Sequence, residues 1–294
     1  RMYLDFYRKA QMPIYLEATH AQGFRLQRYR NDPGILALTG PDAVAEWSSG
    51  SLFSMYYSIV TRTGRDIYLK CWKYHADENK YEGGKAFVYE LFNEPKHDDH
   101  SPFFKKAFGE YLQKRFMNQA LMTGYRDFAS AGNETEPLPP ALQVERRKFM
   151  QSAISSLLRE GRDLIRTTDP NALTTVQLHS EYSLFSNWHG FDFYELHRNI
   201  DMVNAGTNGF CLYDTGVSVR NTLPFVDAQD VNALHIFNSR LCMAVADGKP
   251  IVDQEMYAGK NYETLYARIW TDVIRGANVV FPFSFSGSTG TEAD

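Results

Sequence analysis

The chain has 294 residues, 22% of them charged, with a formal net charge of −4. That length holds one large domain or two small ones, and 44% hydrophobic residues is ordinary for a globular protein. The slight acid excess, with no basic stripe, argues against a nucleic-acid partner, and no apolar run approaches a membrane span. Cys71, Cys211 and Cys242 are far apart and odd in number, so they are expected as buried thiols and not as a disulfide framework or a zinc site.

Residues 1–11, RMYLDFYRKAQ, read as an amphipathic helix and not as a signal peptide. Localisation stays open, because export to the periplasm or beyond would need a signal upstream. The oligomeric state is not set by the sequence either. MPIYLEATH (12–20) reads as an apolar strand, and SLFSMYYSIVTRTG (51–64) as a helix. GKAFVYELFNEP (84–95) is a strand rich in Phe, Val and Tyr, stopped by proline. A long helix is expected from about Leu142 to Thr168, ended by Asp169-Pro170. ALTTVQLH (172–179) and DMVNAG (201–206) follow as strands. Residues 228–246 are read as helix, KPIVDQEMY (249–257) as strand, NYETLYARIWTDVIRG (261–276) as helix and ANVVFPFSFSG (277–287) as strand.

Strands alternating with helices imply a parallel sheet covered by helices. An open doubly wound sheet and a closed (β/α)₈ barrel both fit. No Gly-rich phosphate loop follows any strand, which weakens the open sheet. Polar and acidic residues gather at strand C-terminal ends, where a barrel carries its active site. Residues 96–141 break the rhythm and are expected to form a mostly helical insertion over one rim. The whole of 1–294 is otherwise one barrel segment.

YELFNEP (89–95) runs an apolar strand straight into Asn93 and Glu94, with Pro95 fixing the exit. A carboxyl delivered there sits in a partly desolvated cleft, which raises its pKa and suits a general acid. The plain alternative is a solvated Glu in a strand-ending turn. PIVDQEMYAG (250–259) ends a second apolar strand in Glu255, and Asp253 shares its parity, so both could point inward. Here the alternative is a salt-bridged rim carboxylate. Two carboxylates on different strand ends are what glycoside hydrolysis needs, about 5–5.5 Å apart for retention and farther for inversion.

The pair YELFNEP and IVDQEMYAG resembles clan A of the glycoside hydrolases, (β/α)₈ enzymes with an acid/base glutamate after strand four and a nucleophile on strand seven. The resemblance maps the family's Asn-Glu onto Asn93 and Glu94, and its nucleophile onto Glu255. Two strands between and one after agree with the family order. FKKAFGEYLQKRF loosely resembles family 42, the β-galactosidase-like members. If YELFNEP is strand four, MPIYLEATH is strand three. The first two strands and the last helix then have no place here, and this is expected to be a segment of a longer chain.

Four further positions are candidates for the sugar, three of them with a structural alternative. His20 and His179 end strands and serve either as polar sugar contacts or as structural histidines. Trp188 offers either a sugar platform or core packing, and Tyr257 lies two residues past Glu255. Asn204 or Tyr213 are candidates to hold the nucleophile. Phe283 and Phe285 stand where the family carries an aromatic, often Trp. KHDDH (96–100) contains good metal ligands, but without ordered spacing it is read as a solvated loop and no metal is assigned.

The expected function is therefore hydrolysis of β-linked sugars in an oligosaccharide or polysaccharide by double displacement, with no cofactor. The rivals are a non-catalytic carbohydrate-binding barrel and a metal-dependent barrel enzyme.

Overall fold

The computed structural model describes residues 9, 14–18, 55, 57–81, 86–93, 95, 97, 99–116, 128–132, 138–178, 192–204, 228–256 and 262–282. In chain order these form β1 (Ile14–Glu17), α1 (Arg62–Tyr81), β2 (Ala86–Asn93), α2 (Pro102–Phe116), α3 (Phe128–Gly132), α4 (Pro140–Thr168), β3 (Leu173–Gln177), α5 (Phe193–Arg198), β4 (Val203–Asn204), α6 (Ala228–Ala246), β5 (Ile251–Met256), α7 (Tyr262–Ile274) and β6 (Val279–Pro282). Every strand pairing is parallel, in the orders β1-β2-β3 and β4-β5-β6. The two sets meet where the Asp201 and Met202 amides donate to the Thr174 carbonyl, at 3.0 and 3.1 Å.

Alternation along the strands builds two apolar layers. Val88, Met202 and Val252 form an inner cluster, with Tyr15, Leu173, Val279 and Phe281 packed on it. Each described strand, or its immediate lead-in, thus sends a side chain into one interior, as in a filled barrel. The rings of Tyr15 on β1 and Phe281 on β6 touch at a centroid distance of 4.5 Å, so the first and last described strands face each other across it. Residues of opposite parity, Tyr89, Leu91, Val176, Val203 and Ile251, pack outward against Tyr68 and Trp72 of α1, Ile154, Leu157 and Ile165 of α4, and Cys242 of α6.

The long helix α4 lies close to its expected bounds, with Pro140 in the first turn, where a missing N–H is harmless. Of the helix expected over 51–64, the described residues are helical only from Arg62 on, where α1 begins. Among the described residues of that stretch, Tyr57 makes a β-bridge and Ile59 and Val60 a turn. The Tyr68 hydroxyl satisfies the Tyr57 amide at 3.0 Å, and Ser58 Oγ donates to Asp99 Oδ2 at 2.5 Å. Met55, Tyr57 and Ile59 are buried, so tertiary packing overrides local helical preference here. The helix starts later, where Thr61 Oγ1 accepts from the Gly64 amide at 3.1 Å as an N-cap.

In the 96–141 stretch, α2 and α3 join the start of α4 in a separate apolar cluster of Phe104, Phe108, Leu112, Ala131, Leu138, Leu142 and Met150. Cys242 is buried as expected, Cys71 is half-buried, and among the described residues neither forms a disulfide; Cys211 lies outside the described residues. Among the described residues no helix is long and apolar enough to cross a membrane.

Candidate active site

The site is built on the carboxyl ends of β2, β3 and β5. Asn93 ends β2, is buried, and stands opposite Gln177 in the β2–β3 register. Its Nδ2 donates to Gln177 Oε1 at 2.9 Å. Pro95 follows, also buried. Glu94, between them, lies outside the described residues, as do His20, His179, Trp188, Tyr213, Tyr257, Phe283 and Phe285. Glu255 lies within β5 by its backbone.

Both catalytic-strand candidates slip register near their motifs. In β2, Glu90 pairs with Thr175 and Asn93 with Gln177, so three residue steps of β2 match two of β3. In β5, Asp253 pairs with Val280 and Met256 with Pro282, a second three-against-two step. An extra residue of this kind bends a strand and re-aims side chains, and it recurs beside active sites. Asp253 is expected from sequence to point inward at this step. Val252 belongs to the interior cluster and Gln254 bonds across the interior. Asp253, between them, is buried on the opposite face, where its charge joins burial in pushing the Cys242 thiol of α6 up.

A polar layer crosses the interior just below the motifs. Asn204 Nδ2 donates to the Val176 carbonyl at 3.0 Å and to Gln254 Oε1. Gln254 Nε2 donates to Glu90 Oε2 at 3.1 Å, and the Tyr15 hydroxyl donates to the same oxygen at 2.6 Å. A backbone carbonyl can only accept, so Val176 fixes which way the Asn204 amide faces. That in turn orients Gln254 as a donor to Glu90. Glu90, Asn204 and Gln254 are 2%, 1% and 1% exposed, and a buried carboxylate is tolerable when several donors meet it. Asn204 is thus tied to the strand carrying Glu255 through Gln254.

His197 anchors the layer from outside. Its Nε2 accepts from the Asn204 amide at 3.2 Å and its Nδ1 lies 2.6 Å from the Phe193 carbonyl, which sets the proton on Nδ1. Burial pulls its pKa down to about 4, so the ring is neutral.

The described part of KHDDH has other work. His97 packs edge-on against Phe104 with centroids 5.9 Å apart. Asp99 accepts from Ser58 and, at 2.8 Å, from the Ser101 amide, and His100 meets Arg146 at 3.1 Å. Among the described residues no group of three His, Cys, Asp or Glu side chains is placed to hold a metal. Glu90, Gln177, Gln254 and Tyr15 were not singled out from sequence. A charged residue inside the apolar run FVYELF was the available signal for Glu90.

No family model matches the sequence, and no curated protein matches it. Solved structures do. The β-galactosidase of Bacillus circulans sp. alkalophilus superposes with a TM-score of 0.65 at 15% identity, over 88% of this chain and 40% of that one. The cold-adapted β-galactosidase of Rahnella sp. R3 gives 0.64 at 15% over the same shares. The family 42 exo-carrageenase of Bacteroides ovatus gives 0.62 at 16%, over 86% and 38%. The chain therefore shares with these glycosidases a helix-rich α/β fold with parallel strands, of the kind that makes part of a barrel, and spans about 40% of their length.

Proposed function

We propose that this chain carries the catalytic barrel of a retaining β-glycosidase, one domain over 1–294 with the 96–141 stretch inserted at its rim. The carrying observation is the Gln254–Glu90 hydrogen bond, which ties the strand bearing Asn93-Glu94 to the strand bearing Glu255 within a glycosidase-type barrel. In this reading Glu255 attacks the anomeric carbon while Glu94 protonates the departing oxygen. A covalent glycosyl-enzyme results, and Glu94 then takes a proton from water as it attacks. Asn93 hydrogen-bonds the sugar 2-hydroxyl. His20, His179, Trp188 and Tyr257 are proposed to line the substrate cleft, and no cofactor takes part.

The β-galactosidase neighbours make aryl β-galactosides the first substrates to try, followed by other chromogenic β-glycosides. Proton NMR of the full-length protein's products should show the β-hemiacetal forming first. First appearance of the α-anomer would exclude retention, and no cleavage of any β-glycoside would exclude the reading altogether.

A further inference from the structure

We infer that Gln177 is a positioning residue for the sugar 2-hydroxyl: it holds the Asn93 amide in the orientation that meets that hydroxyl. The inference deepens the glycosidase reading and rests on it.

Gln177 ends β3 on the interior face, in line with Leu173 and Thr175, and is 3% exposed. It is the register partner of Asn93, and its Oε1 accepts from Asn93 Nδ2 at 2.9 Å. Its other end, Nε2, is buried with no hydrogen-bond partner among the described residues. An amide serving only the core normally has both ends bonded. Among the described residues this one keeps a single side-chain bond, and that bond goes to the residue before Glu94. The register slip in β2 brings Asn93 opposite Gln177 at all: without the extra residue, Phe92 would occupy that place. With Nδ2 held by Gln177, the Asn93 amide plane is fixed, and a hydroxyl arriving at the mouth meets an oriented group. Preorganisation of this kind matters most for bonds that strengthen in the transition state, as those to the 2-hydroxyl do.

The test compares kcat/KM for an aryl β-glycoside and its 2-deoxy counterpart in the full-length protein. The intrinsic reactivity of the deoxy sugar cancels when variants are compared. Gln177→Met keeps the bulk and removes the acceptor, and it should shrink the preference for the 2-hydroxy substrate by about tenfold or more, mainly through kcat. Gln177→Glu keeps an oxygen for Asn93 Nδ2 and should retain most of the preference. In an Asn93→Ala background, Gln177→Met should change the preference no further, since the two residues act as one unit. Should Gln177→Met fail to fold, Gln177→Ala reads the same ratio. Equal slowing of both substrates by Gln177→Met would overturn the inference and leave the hydrolase standing. A wild-type protein that cleaves no β-glycoside would overturn the glycosidase reading, and this inference with it.

Discussion

Gln254 and Glu90 are joined across the barrel interior by a 3.1 Å hydrogen bond from Nε2 to Oε2, although 164 positions separate them in sequence. Each lies on a strand whose sequence runs toward a candidate catalytic glutamate, with Gln254 directly before Glu255 and Glu90 four residues before Glu94. The bond therefore bears on the distance between the two strand ends, on which a retaining mechanism depends.

Removing that bond should be felt twice. Gln254→Leu leaves the Glu90 carboxylate short of a donor and the Asn204 amide short of an acceptor, both in a buried layer. A loss of about 1–3 kcal/mol is expected for such uncompensated groups, together with a drop in kcat. Chemical denaturation gives the stability term. A change smaller than about 0.5 kcal/mol, typical of an ordinary surface substitution, would mean the layer does not carry load.

Gly161 sets how closely α4 approaches α1. A β-carbon there would overlap the Trp72 ring carbons Cε3 and Cζ3, and Trp72 is pinned from the other side by its Nε1 bond to the Leu91 carbonyl at 2.9 Å. Alanine ordinarily helps an exposed helix interior by about 1 kcal/mol. Gly161→Ala should instead destabilise by about 1–3 kcal/mol through overpacking, visible as a lower Tm. A raised Tm would show that α4 can move away from Trp72.

His197 makes stability depend on pH in a defined window. Its pKa falls from an ordinary 6.5 to about 4 in the folded chain, so the unfolded chain binds the extra proton more readily. The His197 contribution is then complete above pH 6.5 and is lost as pH falls toward 4, to a total of about 3 kcal/mol. A proton on Nε2 would oppose the Asn204 amide that now donates to it. Unfolding free energies measured from pH 7 to pH 4 should slope downward in the wild type and more shallowly in His197→Asn. Identical slopes would remove His197 as the source.

Much of the barrel was legible because its strands are apolar runs ended by proline, glycine or polar pairs: KAFVYELF stops at Asn93, and Ile251–Met256 follows Pro250. Helix α1 was not, since a helix is expected over 51–64 instead; Met55, Tyr57 and Ile59 are buried at every second residue, and Tyr68 and Asp99 hold that segment outside the helix. Asn93 was legible as part of a motif. Its partner Gln177 was not, because a one-residue slip in β2 defeats counting by twos, and neither was the Gln254–Glu90 bond, which joins residues far apart in sequence.

The assignment of roles is tested most directly by azide rescue of two alanine variants on a dinitrophenyl β-glycoside, whose leaving group needs no proton. Glu94→Ala should load the sugar, accumulate the glycosyl-enzyme for want of a base, and regain turnover with azide, giving the β-glycosyl azide. Glu255→Ala cannot form that intermediate, and azide entering the vacated face should give the α-glycosyl azide. Wild-type rates in either variant, or the two anomers exchanged between them, would contradict the account.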